Sequence, residues 1–308
     1  MLTQQMPETL SIVGAGRVGK ALGRCLHDLG WRVGVVATRS IPTARAAVRA
    51  IGAGDPADHL TRQVLASKVV LIATPDDVIA DVATELAHLG GNEWRDKVVL
   101  HTSGSLDSSV LGRLADAGAE TGSIHPMQTF SGQSVPDLAG CVFGIEGSPK
   151  AMKVARKMIR QTGGVAARLN GGNKAAYHAA GSIACGQVLA LLETATRLLM
   201  AQGFTRRQAA RALLPLTRQT LDNFERIGPR GAWTGPMTRG DFSTVQRHMD
   251  ALSGFPPEYQ DAYKALSRLA AAVLSDDSSA MLQKLDGIFG PHPRAAGEKK
   301  ARKKSSVG

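Results

Sequence analysis

Lys174 and His178 stand four residues apart in the segment Gly171-Gly172-Asn173-Lys174-Ala175-Ala176-Tyr177-His178. Asn173 is a good helix N-cap, so it puts Lys174 in the first turn and His178 one turn later on the same face. An ammonium is electrostatically misplaced at a helix N-terminus, because the free N–H groups there carry partial positive charge. The same field lowers the affinity of the amine for its proton, as a proton donor working near neutral pH requires, and it attracts a substrate carboxylate. Two further polar clusters each follow a β-rich run: His101-Thr102-Ser103-Gly104 and Ser123-Ile124-His125-Pro126-Met127-Gln128. Ligands of open α/β sheets sit outside the carboxyl ends of the strands, which makes Ser103 and His125 candidate neighbours of a reacting group. His101 reads as a core histidine bonded to backbone, and Ser103 could equally cap a helix opening at Leu106. Farther on, Arg239 in Thr234-Gly235-Pro236-Met237-Thr238-Arg239-Gly240-Asp241 could clamp a carboxylate bidentately, with Asp241 the N-cap of the next helix. Asn223 is a weaker polar candidate for substrate binding. The competing readings are a solvated surface lysine at 174 and a plain helix connection around 239.

A proton donor beside a carbonyl needs a hydride source, and Gly14-Ala15-Gly16-Arg17-Val18-Gly19 supplies a place for one. The segment follows the first apolar β-run directly and opens a helix. In that context Gly14 makes the tight turn, Gly16 lets the backbone approach a pyrophosphate, and Gly19 allows close helix-to-strand packing. A site selective for NAD would carry Asp or Glu at the end of the second strand, whereas this one ends Ala37-Thr38-Arg39-Ser40. A guanidinium flanked by two hydroxyls suits a 2'-phosphate, so Thr38, Arg39 and Ser40 point to NADP(H). Thr74 and Pro75 end the run 69–73, where the loop would border the cofactor, and Asp76 and Asp77 read as caps of the following helix.

The elements that must position these residues follow from periodicity. Runs at 10–13, 31–37, 69–73, 98–101, 120–124, 141–145 and 165–169 read as strands; 18–29, 43–50, 78–88, 106–117 and 150–162 read as helices. That alternation is the signature of an α/β, doubly wound parallel sheet. After Gly171-Gly172 the strands stop and the spacing turns helical. One helix of more than 25 residues should end near Gly203, with others over 206–227, 242–252, 257–274 and 278–289. The expected organisation is an N-terminal extension (1–9), a dinucleotide-binding domain (10–170), a helical substrate and dimerisation domain (171–289) and a disordered basic tail (290–308).

Composition narrows the alternatives. The 308 residues carry 37 Lys or Arg against 26 Asp or Glu, a formal +11 that invites a nucleic-acid reading. Residues 290–308 hold a net +5 of it, so the excess reads as a tail plus a cleft for a small anionic substrate. Three Trp, three Tyr and seven Phe leave few rings for a base-stacking platform, and no specific nucleic-acid partner is expected. Cys25, Cys141 and Cys185 form no CxxC pair, which predicts neither a disulfide framework nor a metal site. Gln187, Glu193 and Arg197 interrupt the most apolar helical stretch, and residues 1–8 have no basic n-region, so the expectation is a cytoplasmic protein without membrane insertion.

These segments together resemble a known bacterial family that joins a Rossmann-like N-terminal domain to a C-terminal domain of unknown function, number 2520. The likeness covers about 280 residues and is carried by 11–19, 101–104, 122–130, 174–180 and 234–241. The family is similar to the superfamily of 6-phosphogluconate dehydrogenase, β-hydroxyacid dehydrogenases and ketopantoate reductase. The resemblance implies a Rossmann-like domain followed by an all-helical domain, and a homodimer formed through the helical half. β-Hydroxyacid dehydrogenases carry a catalytic KxxxN at the start of the interdomain helix; Lys174 matches the Lys and His178 stands in place of the Asn. His125-Pro126 resembles the His-Pro segment of prephenate dehydrogenases, whose His meets the substrate hydroxyl. The implied activity is an NADP-dependent oxidoreductase reducing a small 2-keto acid, ketopantoate-like, or oxidising the matching hydroxy acid, with Lys174 as proton donor and His178, His125 and Ser103 around the carbonyl. Two alternatives are an NADP-binding sensor without turnover and an NADP oxidoreductase using a deazaflavin.

Overall fold

The computed structural model describes residues 8–132, 136–170 and 172–291. The expected terminal segments therefore lie largely outside the described residues. Eight strands form one sheet: β1 (Thr9–Val13), β2 (Arg32–Ala37), β3 (Asp55–Ala57), β4 (Val69–Ile72), β5 (Val98–His101), β6 (Glu120–Pro126), β7 (Val142–Gly147) and β8 (Val165–Arg168). Their spatial order is β3-β2-β1-β4-β5-β6-β7-β8. The first crossovers run outward from β1 through β2 to β3, and the chain then returns to β4 on the other side of β1. That reversal leaves a crevice at the carboxyl ends of β1 and β4, where open α/β sheets take their ligands.

Residues alternate between the two sheet faces, and both faces are buried. Leu10, Ile12, Val36, Leu71 and Leu100 pack with Leu22 and Leu26 of α1 (Arg17–Asp28), Ala47 and Ile51 of α2 (Ile41–Ile51), and Met152, Ala155 and Ile159 of α5 (Pro149–Gln161). Val13, Val35, Val70, Ile72 and Val99 pack on the other face against Ile79, Ala83 and Leu86 of α3 (Ile79–Gly90) and Leu114 of α4 (Gly112–Asp116).

Four features differ from the sequence expectation. The sheet is not wholly parallel: β6 and β7 pair antiparallel, with Ile124 opposite Ile145. No helix is described between Pro126 and Val142, and a parallel partner would need a crossover there. β3 is a three-residue strand with no apolar run, held by pairing with Val35–Ala37 of β2. The helix expected over 106–117 is a 3-10 turn, Ser108–Leu111, followed by the single-turn α4, because the Asp107 carboxylate takes the Ser109 N–H. The helix opening at Lys174 is continuous to Ala201 but contains a π-helical turn, Ile183–Gln187, between α6 (Lys174–Ser182) and α7 (Val188–Ala201).

The chain divides into two compact units between Val188 and Leu189. In the second unit α8 (Arg206–Ala232) is two helices that meet at Gly228, whose φ of 76° and ψ of 172° leave the helical region, so the Gly228-Pro229 breaker ends the longer helix at Ile227 as the sequence suggests. α9 (Phe242–Leu252), α10 (Pro257–Leu274) and α11 (Ser278–Phe289) surround a small core of Met237, Val245, Ala271 and Leu285.

Candidate active site

The turn after β1 is shaped for close approach. Gly14 has φ of 82°, its N–H donates to Ala37 O at 2.8 Å, and a Cβ on it would meet Thr74 and the Ala73 backbone within 2.8 Å. A Cβ on Gly19 would lie 2.5 Å from Gly14 O. Gly16 is the N-cap of α1 with no side-chain cap, and nothing lies within 4 Å of where its Cβ would be. The first N–H groups of α1 are therefore open to an anion. Beside this cradle the Thr74 Oγ1 is buried without a hydrogen-bond partner among the described residues. An unmet hydroxyl of that kind costs free energy unless a ligand group meets it. At the end of β2, Arg39 is exposed, Thr38 Oγ1 donates to Ser40 O, and Ser40 caps α2 by accepting from Thr43 N–H. Arg17, in the first turn of α1, donates to Phe130 O at 3.5 Å. The residues present fit a dinucleotide: a glycine cradle, an uncapped helix end, an orphaned hydroxyl and a guanidinium at the end of β2.

The carboxyl ends of β4, β5 and β6 carry the second half of the site. Ser103 Oγ donates to Asp76 Oδ2 at 2.8 Å and accepts from the Ser105 and Leu106 N–H groups; Ser105 Oγ donates to the same carboxylate oxygen at 2.6 Å. Ser103 is thus both the local cap and the link to the loop after β4. Asp76 is not the helix cap that the sequence suggests, because its side chain takes these two hydroxyls instead. His101 is fully buried, accepts from Ser103 N–H on Nδ1 and faces Asp107 O with Nε2, so it is the backbone-bonded core histidine. Gly104 lies between two rings: a Cβ there would come within 2.5 Å of His178 and 2.7 Å of His125. Those rings meet edge to face with centroids 5.6 Å apart. The Tyr177 hydroxyl accepts from Gly144 N–H and lies 3.2 Å from both the His125 carbonyl and its Nδ1.

Asn173 caps α6 as its sequence position requires, accepting from Ala176 N–H at 3.3 Å. Lys174 is 5% exposed and is not a solvated surface residue. Its Nζ donates to Ser123 Oγ at 2.6 Å, and Ser123 Oγ donates to Glu146 Oε1 at 2.5 Å. Burial pushes the Lys174 amine down to about 8, against the pull of Glu146, Asp107 and Asp76. Desolvation, rather than the helix end, is thus the leading cause. Burial, reinforced by the neighbouring His178 and Lys174, holds the His125 imidazole down to about 4. His101 falls to about 4 by burial and by the nearby Lys174.

Lys174, His178, His125 and Ser103 are therefore gathered in one place, with Asp76, which the sequence reads as a cap, and with Tyr177, Ser123 and Glu146, which it does not single out. Arg239 and Asn223 belong to the second unit. Arg239 is exposed at the end of the 3-10 turn Met237–Arg239, and Asn223 Oδ1 on α8 accepts from Gln219 and Arg226. Among the described residues no three His, Cys, Asp or Glu side chains group as metal ligands.

Residues 3–126 match the model of the Rossmann-like domain, and residues 141–270 match the domain of unknown function DUF2520. The two matched segments follow one another along the chain. No curated protein matches it. Among solved structures the chain is similar to a candidate NADP oxidoreductase from Bacteroides fragilis, with 23% identity over 85% of this chain and 97% of the other and a TM-score of 0.69. It is similar to an imine reductase from Streptomyces aurantiacus at 16% identity, covering 90% and 99% of the two chains with a TM-score of 0.62. A reductive aminase from Aspergillus terreus, solved with NADPH and ethyl levulinate, shares 17% identity over 90% and 99% with a TM-score of 0.63. These likenesses establish that the Rossmann-like plus helical arrangement is common to all four chains.

Proposed function

We propose that this DUF2520 protein is an NADP(H)-dependent oxidoreductase acting on a polarised C=O or C=N bond. The observation that carries the reading is the adjacency of the dinucleotide cradle, with its orphaned Thr74 hydroxyl, to a buried lysine and two histidines on the same sheet edge. Gly14, Gly16 and Gly19 would admit the pyrophosphate to the α1 N-terminus, Thr38, Arg39 and Ser40 the 2'-phosphate, and Thr74 and Pro75 would border the nicotinamide end. When bound, the nicotinamide supplies or accepts a hydride. The chain's own part is proton handling and orientation. Lys174 is the proton source for the developing anion, because burial has brought its amine close to neutral pH. His125 is held neutral, its ring fixed by Tyr177, so it offers a hydrogen bond rather than a charge. His178 is exposed and flanks the reacting group, and Ser103 ties the β5 loop to Asp76.

A small 2-keto acid is the first substrate class to test. A C=N substrate is the second reading, favoured by the exposed Asp76 carboxylate, which suits a cationic iminium, and by the imine reductase and reductive aminase among the structural neighbours. The test is NADPH and NADH binding followed by fluorescence, then loss of NADPH absorbance against a panel of 2-keto acids and imines. NADPH is expected to bind about tenfold or more tighter than NADH, and Arg39→Ala to remove most of that preference. Lys174→Met should retain NADPH binding and lose turnover. Equal affinity for the two dinucleotides would sink the cofactor assignment, and unaltered turnover by Lys174→Met the proton-donor assignment.

A further inference from the structure

Lys174 reaches from the first turn of α6 onto the strands β6 and β7, and the groups it meets there form an ordered chain. Its Nζ donates to Ser123 Oγ of β6, whose single proton goes to Glu146 Oε1 of β7. Ser108 Oγ, from the 3-10 turn, takes the other carboxylate oxygen at 2.7 Å. The direct separation of Nζ and Oε1 is 3.8 Å, so the serine hydroxyl is the link between ammonium and carboxylate. A hydroxyl between a cation and an anion has its direction dictated by both: it accepts from one and donates to the other. The Lys174 side chain is 3% exposed and that of Glu146 13%, so each ion would be costly without the other. Helix α6 and strand β7 are thus joined by charges that neither element needs for its own formation.

We propose that Glu146, acting through Ser123, is the positioning residue that fixes the direction of the Lys174 ammonium and keeps it protonated in its buried setting. This rests on the reading of Lys174 as proton source, but it concerns a different residue and a different observable. The charged and titratable groups facing Lys174 are Glu146 on β7, Asp107 before the 3-10 turn, Asp76 after β4, His101 on β5 and His125 on β6. Glu146 is the carboxylate within 4 Å of Nζ. With that carboxylate removed, desolvation would act on the amine against the more distant Asp107 and Asp76 alone.

The experiment needs no substrate. In protein carrying nitrogen-15 labelled histidine, the His101 and His125 ring signals are followed from pH 6 to pH 11, where both rings are neutral and sense the Lys174 charge. The wild type is expected to show an inflection that Lys174→Met abolishes. Glu146→Gln should move the inflection down by about one pH unit or more, a tenfold loss of proton affinity. Glu146→Asp restores the charge one methylene farther away and should recover more than half of that shift. An unmoved inflection in Glu146→Gln overturns the proposal. So does a Glu146→Asp protein whose inflection lies about a full pH unit or more below that of the wild type, a comparison that holds even if the glutamine variant does not fold. Loss of turnover in Lys174→Met together with an unmoved inflection in Glu146→Gln would leave the proton-source reading standing and this one refuted.

Discussion

Lys174 was legible as an unusual residue, because a cation at an N-capped helix start is electrostatically disfavoured. Its surroundings were legible only in part. Its partner Glu146 escaped because the apolar run of β7 ends at Ile145 in the sequence, one residue before the carboxylate, and the antiparallel pairing that sets Glu146 opposite Ser123 is a tertiary fact. The titrating groups of this cluster give the protein a characteristic pH dependence. The folded-state amine of Lys174 is lowered from 10.5 to about 8, so between these values the unfolded chain binds the proton and the folded chain does not. Stability therefore rises with pH through that window, the burden of the buried ammonium being full below pH 8 and gone above 10.5. A 2.5-unit difference corresponds to about 3 kcal/mol. On the acid side His101 and His125 are lowered from 6.5 to about 4, so stability falls as pH drops from 6.5 to 4. Urea unfolding at a series of pH values should show both limbs, and Lys174→Met should flatten the alkaline limb while leaving the acid one. A Lys174→Met protein whose alkaline limb has the same slope as the wild type would contradict the buried, ionisable Lys174.

At the scale of elements, the bounds that sequence reading finds best are those with a chemical stop. Phe242–Leu252 and Ser278–Phe289 were legible to the residue, since Asp241 and Asp277 each cap through a side-chain oxygen and leave little freedom in the start. The helix expected at 106 was not, because Ser103 and Asp107 side chains take nearby N–H groups and hold a tighter turn, an outcome apolar spacing does not encode. Nor was the π turn Ile183–Gln187, which leaves no mark on the apolar spacing. Asn173 is the capping case with functional weight, since the start of α6 aims Lys174 at Ser123. Asn173→Ala should cost about 1 kcal/mol in urea unfolding, whereas Asn173→Asp should stay close to wild type. If the cap also aims the lysine, Asn173→Ala should lower turnover beyond its effect on stability, measured well below the unfolding midpoint. An alanine variant with wild-type stability would show that the 3.3 Å contact contributes nothing.

Most of the exposed large hydrophobic side chains among the described residues lie from Ile183 onward, and exposed apolar patches mark interaction surfaces. Lys174–Ala201 is long and apolar enough to cross a membrane by length and composition, and none of its most apolar window is buried within the chain. A membrane span fits it poorly, because its first two turns hold Lys174, Tyr177 and His178 against the sheet through Ser123, Gly144 and His125. At its other end Glu193 pairs with Arg197 and Arg206, an ionic knot that hydrocarbon would penalise. Leu189, Leu216, Leu221, Phe224 and Leu269 are exposed on α7, α8 and α10. A second copy of the chain supplies the same surface and would cover it symmetrically. Light scattering after size exclusion should therefore give twice the 32.4 kDa chain mass at micromolar concentration. Burying one such side chain is worth about 1.5–3 kcal/mol, so placing two charges in the patch, as in Leu221→Glu with Phe224→Glu, should shift the population to monomer. The residues proposed to bind NADPH and to act on the substrate are not among these, so NADPH binding to the first unit should survive that shift. A wild-type chain that runs at 32.4 kDa across the concentration range would refute the dimer and leave the apolar faces of α7 and α8 without the partner argued for them.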